Sequence, residues 1–194
     1  MHVSELYNFV KVASVRFDDN NKSNWDIDWL KSDVDCSANT GRCYIIAVND
    51  VVYKIGYSDC RGGLKRTFST YKHGLYSKAS DRTFGINLLI GLHIFLNSKV
   101  DIYISVTEDF YVDLKLIDGS VIKKCITVSG KELEVENLNI YFAKYNSLPK
   151  WNILETNNIS WPQIFVLKRL NSFYSNRKVD FKELLKYDSV NILL

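Results

Sequence analysis

The sequence predicts an α+β fold, in which a small antiparallel sheet is flanked by helices. Two hairpin signals support this prediction, since apolar strand-like runs lie on either side of Asn49-Asp50 and again of Asp118-Gly119. A third observation is a capping box, Ser129 with Glu132 three residues later, which opens a helical segment that must end before Pro149. Hairpins and separate helices together indicate the α+β class.

Length and composition indicate one globular domain. The 194 residues are 46% hydrophobic and 13% aromatic, and the two prolines and nine glycines mark no linker. We therefore expect a single domain over 1–194, with an N-terminal addition (1–40), a core (41–152) and a C-terminal addition (153–194). No apolar run reaches the about 18–20 residues that cross a bilayer, and the N-terminus shows no signal-peptide pattern, so we expect a soluble, cytoplasmic protein without a membrane partner.

Charge and cysteine content exclude few functions. A formal net charge of +3 permits a nucleic-acid partner without requiring one. Four cysteines without C-x-x-C spacing, in a chain with three histidines, argue against a zinc site and favour free, buried thiols.

The predicted elements follow in chain order. The first forty residues are expected to form a short amphipathic piece, a polar loop and a turn or two of helix. Two strands follow, RCYIIAV and VVYKIGY, and then a helix with Leu64, Phe68 and Tyr71 at helical spacing. INLLIGLHIFL and the segments after it are rich in strand formers, so inserted strands are expected from Ile86 to Val128, before the capped helix. Two more helices are expected around IFVLKRLNSFY and FKELLKY.

Several polar residues stand in a fixed order along these elements. A tyrosine lies on the first strand, a lysine precedes a glycine on the second, an arginine lies on the next helix, a glutamate opens a late helix and an asparagine follows a proline. These residues are Tyr44, Lys54, Arg66, Glu134 or Glu136, and Asn152. Each alone has an ordinary structural explanation, but the ordered set resembles the GIY-YIG nuclease superfamily.

The resemblance rests on four short motifs. CYII, with Tyr44, resembles the first signature triplet, and KIG, which begins at Lys54, resembles the second with a lysine in place of the family's second tyrosine. LKRTF, with Arg66, resembles the helix that carries the family's arginine. LPKWN resembles the proline and asparagine that follow its metal-binding helix. The matching elements span 42–74 and 129–152.

The chain also departs from the family pattern. Cys43 stands where glycine is common, which is tolerable because only Tyr44 must face the site. Many members place a histidine one turn after the arginine, and this chain has Thr70 there. His73 lies too far round the helix to take the same angle, so the group that completes proton transfer is left open.

The family's metal-binding glutamate has three candidates here. Glu132 is assigned to the capping box. Leucine and two tyrosines lie four, seven and eleven positions after Glu134, so helical phase directs Glu134 toward the sheet. Glu136 has the more natural spacing in sequence to Pro149, so it is the second choice as metal ligand.

The resemblance implies a DNA endonuclease that depends on Mg²⁺ or Mn²⁺. Phosphodiester hydrolysis needs an in-line water, neutralised phosphate charge and a stabilised leaving oxygen. Tyr44 and Lys54 would prepare the water. Arg66 would clamp the phosphate through its planar fork, and Glu134 would hold the metal. Asn152 would steady the site through a hydrogen bond.

The size of the chain narrows the class of nuclease. A self-contained protein of this length most resembles a type II restriction endonuclease, which cuts double-stranded DNA at specific sites. Palindromic targets would favour a homodimer, because a twofold axis in the protein then matches that of the DNA.

Three alternatives stay open. Asp113 and Lys115 have the D-x-K spacing of PD-(D/E)xK nucleases, with Asp101 or Asp109 upstream. Scattered lysines and arginines would allow a non-catalytic nucleic-acid-binding module on the same scaffold. A homing or repair nuclease of the superfamily is the third alternative, although such enzymes generally carry further domains.

Overall fold

The computed structural model describes residues 1–31, 34–37, 41–59, 61–75, 79–105, 110–126, 128–152, 162–188 and 190. Its strands are β1 (Phe9–Phe17), β2 (Trp25–Trp29), β3 (Arg42–Val48), β4 (Val51–Ser58), β5 (Val100–Ser105), β6 (Phe110–Lys115) and β7 (Val121–Ile126). Its helices are α1 (Gly63–Lys72), α2 (Asp81–Phe95), α3 (Gly130–Tyr145), α4 (Pro162–Tyr174) and α5 (Phe181–Leu184). The predicted α+β class is confirmed.

The main sheet has five antiparallel strands in the order β2-β1-β5-β3-β4. One face carries Tyr44, Ile46 and Val48 of β3 and packs in one cluster with residues of α1 and α2. The other face carries Cys43 and Ile45 and packs against α3. Each face is therefore covered by helices, and β4 forms an edge of the sheet. Strands β6 and β7 form a separate two-stranded hairpin.

The predicted β3–β4 hairpin is confirmed. Asn49 and Asp50 have φ of 48° and 63°, the left-handed values of a two-residue type I′ turn. Pairing runs from Arg42 opposite Ser58 to Val48 opposite Val51, with one irregularity beside Ile46. The predicted turn at Asp118-Gly119 also connects two strands, β6 and β7.

The helix that the capping box opens is confirmed as α3. The Ser129 side chain accepts a hydrogen bond from the Glu132 backbone N–H, and the Glu132 carboxylate accepts one from the Ser129 N–H. The helix ends at Tyr145, where Asn146 takes the left-handed conformation. The two predicted C-terminal helices correspond to α4 and α5.

Two predictions about secondary structure are wrong. INLLIGLHIFL lies in α2 and not in a strand. Every residue from Phe84 to Ile94 is buried, so the helix shows no polar stripe that would have revealed its period. The N-terminal addition forms β1 and β2 instead of a loop with a turn of helix. Arg16 of β1 forms ion pairs with Asp26 and Asp28 across the strands, which explains how the acidic segment WDIDW pairs as an edge strand.

The thiols are free where the structure describes them. Cys36 and Cys43 are buried as expected, but Cys125 is exposed on β7, so the prediction of buried thiols is wrong there. Cys60 lies outside the described residues. Among the helices of the described residues, none is both long and apolar enough to span a membrane.

Candidate active site

Two ionisable side chains, one basic and one acidic, are buried on β4 and α3. Lys54 on β4 is fully buried, and Glu134 on α3 is 6% exposed. The pKa of the Cys43 thiol is raised to about 12, chiefly by burial and to a lesser degree by Glu134, while Lys54 acts in the opposite direction. Lys54 lies opposite Ile46 in the β3–β4 register, and α3 packs against the face of the sheet that carries Cys43. Buried charges are costly unless compensated, and such groups mark candidate functional sites.

Helical phase on α3 distinguishes the three candidate glutamates. Glu134 lies on the face that packs against the sheet, together with Tyr141, which is also buried. Glu136 is exposed to solvent, and Glu132 is occupied in the capping box. Of these three carboxylates, Glu134 is the one that the fold directs toward β3 and β4. Its role as metal ligand remains a prediction.

The Tyr44 ring lies across Gly56 on the neighbouring strand. The two residues are opposite each other in the β3–β4 register. A Cβ on Gly56 would lie 2.5 Å from both Cζ and the hydroxyl oxygen of Tyr44, so the backbone at this position must be bare. The glycine of the KIG motif therefore makes room for the tyrosine of the CYII motif.

The Tyr44 hydroxyl is buried and hydrogen-bonded to α1. It lies 2.6 Å from the hydroxyl oxygen of Tyr71, which is also buried. Phe68 packs edge-on against both rings. Sequence reasoning treated Tyr71 only as a core residue of the helix, since its spacing from Leu64 and Phe68 indicates an apolar stripe. Nothing in that spacing shows which hydroxyl it would meet.

Arg66 lies in the first turn of α1 with an exposed side chain. The helix starts after Gly62, whose φ of 94° favours glycine, so the chain turns sharply from β4 into α1. The hydroxyl groups of Thr67 and Ser58, 2.7 Å apart, fix this turn of the helix to the end of β4. The guanidinium thus extends into solvent from a backbone held against the hairpin.

The side chains on α1 that were considered for proton transfer contact backbone carbonyl groups of the same helix. The Thr70 hydroxyl donates to the Arg66 carbonyl oxygen at 3.0 Å. The His73 ring nitrogen Nδ1 lies 2.6 Å from the Ser69 carbonyl oxygen. By contrast, Tyr71 on the same helix is directed at Tyr44.

Asn152 binds the backbone of β4 through both ends of its amide. Its Oδ1 accepts from the Ile55 N–H at 2.8 Å, and its Nδ2 donates to the Ile55 carbonyl oxygen at 2.6 Å. The Trp151 N–H donates to the Tyr53 carbonyl oxygen at 2.8 Å. These bonds fix the backbone on both sides of Lys54. The role of Asn152 in the site stays a prediction.

The predicted site residues lie in two groups that flank β3. Tyr44 contacts α1, the helix that also carries Arg66. Glu134 lies on α3, which packs against the opposite face of β3 from that of Tyr44, and Lys54 lies opposite Ile46 in the β3–β4 register. The β3–β4 hairpin thus lies between the two helices that carry candidate residues, with α1 on one face of the sheet and α3 on the other.

The alternative D-x-K residues lie in a different sheet from the upstream acid Asp101. Asp113 and Lys115 lie exposed on β6, whereas Asp101 lies buried on β5 of the main sheet. Asp101 is 2.8 Å from the Lys11 ammonium, 3.1 Å from that of Lys99, and accepts a hydrogen bond from Ser14. Asp109 lies outside the described residues. Asp101 therefore already has three structural partners, Lys11, Lys99 and Ser14.

A buried histidine lies beneath the Asn152 segment. The His93 ring packs against Tyr53 and Trp151, with ring centroids 5.3 Å and 5.6 Å away. Its Nε2 is buried without a hydrogen bond. Burial, with a smaller contribution from Lys150, lowers the pKa of His93 to about 4. The imidazole is therefore neutral in the folded protein at neutral pH.

His93 is expected to make the fold sensitive to acid. Because the unfolded chain takes up a proton near pH 6.5 and the folded chain only near pH 4, the free energy of unfolding falls as pH drops through that window. The full loss in the free energy of unfolding across this pH window amounts to about 3 kcal/mol. Urea unfolding at pH 7 and pH 4.5 of the native chain and of His93→Leu checks this, and equal pH dependence in both would contradict it.

The fold and these contacts define an α+β protein in which a β-hairpin and helices on both faces of the sheet hold the candidate residues. No protein-family model matches the sequence. No curated protein matches it either.

Two solved structures resemble the chain. A mutant of bacteriophage T4 EndoII is 23% identical, with a TM-score of 0.48, over 78% of this chain and 98% of that one. The restriction endonuclease HPY188I in complex with product DNA is 17% identical, with a TM-score of 0.41, over 73% of this chain and 78% of that one. Because both TM-scores lie below 0.5, neither likeness bears on the activity of this chain.

Proposed function

We propose that this protein is a metal-dependent DNA endonuclease that cuts at specific sites, of the type II restriction class. The observation that supports this function best is the burial of an acidic and a basic side chain, Glu134 and Lys54, in a fold whose β3–β4 hairpin holds Tyr44 against α1. Burying an ionisable side chain costs free energy, so the presence of two such residues in the interior calls for another explanation. A carboxylate for a metal and a fixed positive charge for a phosphate provide one.

The residues present fit Mg²⁺ or Mn²⁺. Both ions favour oxygen ligands, and Mg²⁺ commonly binds through one or two carboxylates, water and substrate phosphate. Among the described residues, no three histidines, cysteines or acids cluster as a zinc or calcium site requires. Glu134 would hold the ion. When bound, the metal would neutralise charge on the leaving 3′-oxygen.

The remaining residues act on the phosphate and the water. The exposed Arg66 fork binds the scissile phosphate in bidentate fashion, and the buried Lys54 adds a positive charge that solvent does not screen. Tyr44 orients the attacking water. Because its hydroxyl is buried against Tyr71, this action requires Tyr71 to shift so that the Tyr44 hydroxyl reaches water. Cutting both strands would use two copies of the chain on a palindromic site.

Cleavage assays test this function directly. The purified protein is expected to convert plasmid or phage DNA into discrete bands with Mg²⁺ and not with EDTA. Arg66→Ala is expected to lower the rate at least about 10²-fold, because a charge that stabilises the transition state is lost. Arg66→Lys is expected to recover only part of it, since lysine lacks the planar fork.

Lys182→Ala, a change of an exposed residue on α5, serves as the control and is expected to cut at the native rate. Full activity in Arg66→Ala would contradict the assignment. DNA that is shifted on a native gel but never cut, with any divalent metal, would indicate a binding module instead.

A further inference from the structure

The β6–β7 hairpin stands apart from the main sheet. Its register pairs Tyr111 with Cys125 and Leu114 with Ile122. Both of its faces are open, since Leu114 and Ile122 on one face are 39% and 43% exposed and Tyr111 on the other is 66% exposed. A two-stranded hairpin is marginally stable alone in water, so a surface of this kind is expected to meet a partner.

The tip of the hairpin is apolar and fully exposed. Leu116 and Ile117 precede the turn at Asp118-Gly119, and the Ile117 side chain is completely accessible to solvent. Asp118 is used within the turn, where its carboxylate accepts hydrogen bonds from the Ser120 N–H and hydroxyl group. The tip thus projects a branched apolar side chain from a turn that is locally well bonded.

The strands of the hairpin carry a surplus of positive charge. Asp113 lies opposite Lys123 in the register, and Asp118 is engaged in the turn. Lys115 and Lys124 then have no acidic partner among the described residues. They lie on opposite faces of the hairpin, because Lys124 shares a face with Leu114 and Lys115 shares one with Asp113.

We infer that the β6–β7 hairpin inserts tip first into the major groove of duplex DNA. The groove is about 12 Å wide and about 8.5 Å deep and admits a two-stranded ribbon. In that orientation the two faces of the hairpin turn toward the two groove walls, so Lys115 and Lys124 reach phosphates on opposite strands. Ile117 meets the base edges on the groove floor, where the thymine methyl group is the apolar feature. The inference rests on the proposed function for its choice of duplex DNA.

The dimensions of the hairpin favour DNA over a second copy of the chain. Six-residue strands about 4.8 Å apart give a face of about 20 Å by 10 Å. A stable protein interface buries roughly 800 Å² on each partner, which is several times that footprint. The unpaired lysines also fit a polyanion better than an apolar protein surface, since interface cores are depleted of charge.

Binding to duplex DNA in EDTA tests the inference without cleavage. By fluorescence anisotropy over a range of salt concentrations, Lys115→Ala with Lys124→Ala is expected to lower the slope of log affinity against log salt by about 1.8, at about 0.9 for each phosphate contact. The matched control, Lys123→Ala with Lys182→Ala, removes the same charge and is expected to lower the slope by less than half as much.

A second arm tests the position of Ile117. The native chain is expected to bind a duplex with every thymine replaced by uracil more weakly than the thymine duplex, and Ile117→Ser is expected to bind both equally.

An unchanged salt slope in the lysine variant, or the same methyl dependence in Ile117→Ser, would overturn the inference. A change from dimer to monomer on sedimentation of Leu114→Glu, with DNA affinity retained, would assign the hairpin to a second copy instead. If the native chain cuts DNA but the lysine variant keeps the native salt slope, only this inference is wrong. If DNA binding depends on the hairpin but the native chain never cuts, only the proposed nuclease function is wrong.

Discussion

Glu134→Gln is expected to abolish DNA cleavage while the chain stays folded. Glutamine keeps the size of the buried side chain and removes its charge, so the oxygen that would bind the metal loses most of its affinity. The expected loss in rate is at least about 10²-fold to 10³-fold, the usual result of removing one group that stabilises transition-state charge. Plasmid cleavage with Mg²⁺ and with Mn²⁺ measures this loss, and far-UV circular dichroism checks the fold.

Glu136→Gln is the matched control for this experiment. It lies two residues further along the same helix and is exposed, so the same chemical change is made away from the sheet. The control is expected to cut normally and to bind Mn²⁺ in titration calorimetry, whereas Glu134→Gln is expected to do neither. The reverse pattern would move the metal to Glu136, and full activity in both variants would remove a carboxylate from the proposed site.

Gly56→Ala is expected to cost at least about 2 kcal/mol of stability and most of the cleavage activity. The new Cβ would lie 2.5 Å from Cζ of Tyr44, well inside contact distance, and the ring is buried on all sides. Overpacking of this kind usually costs about 1–3 kcal/mol, and the ring can make room only by breaking its 2.6 Å hydrogen bond to Tyr71. Urea unfolding and the cleavage rate measure the two effects.

A double-mutant cycle shows whether the Tyr44 ring is the cause. In a Tyr44→Ala background the ring is absent, so Gly56→Ala is expected to change the free energy of unfolding by less than about 0.5 kcal/mol, the usual limit for independent sites. If Gly56→Ala were equally destabilising with and without the ring, the glycine would be required for another reason, such as its own backbone conformation.

Local signals in the sequence predicted the parts of the site that neighbouring residues determine. The β3–β4 hairpin follows from the Asn49-Asp50 turn, and the direction of Glu134 follows from the phase of one helix. Both depend on contacts within about ten residues. Helix α2 was missed because it is buried all round, so the usual amphipathic stripe is absent.

Contacts between distant segments could not be predicted from the sequence. β1 joins the main sheet by pairing with β5, about ninety residues further on, and no local pattern in the sequence indicates this pairing. The same holds for the Tyr44–Tyr71 hydroxyl pair and for the Asn152 amide on Ile55. In the last case, a turn asparagine and a backbone clamp have the same sequence signature.

The Asn152 amide affects the tendency of the chain to aggregate at high protein concentration. β4 lies at the edge of the sheet, and an edge with free N–H and carbonyl groups is a template on which another chain can add a strand. Asn152 and Trp151 occupy those groups at Ile55 and Tyr53. The strand that carries Lys54 is thereby protected from aggregation, so the segment that steadies the candidate site also keeps the sheet from growing.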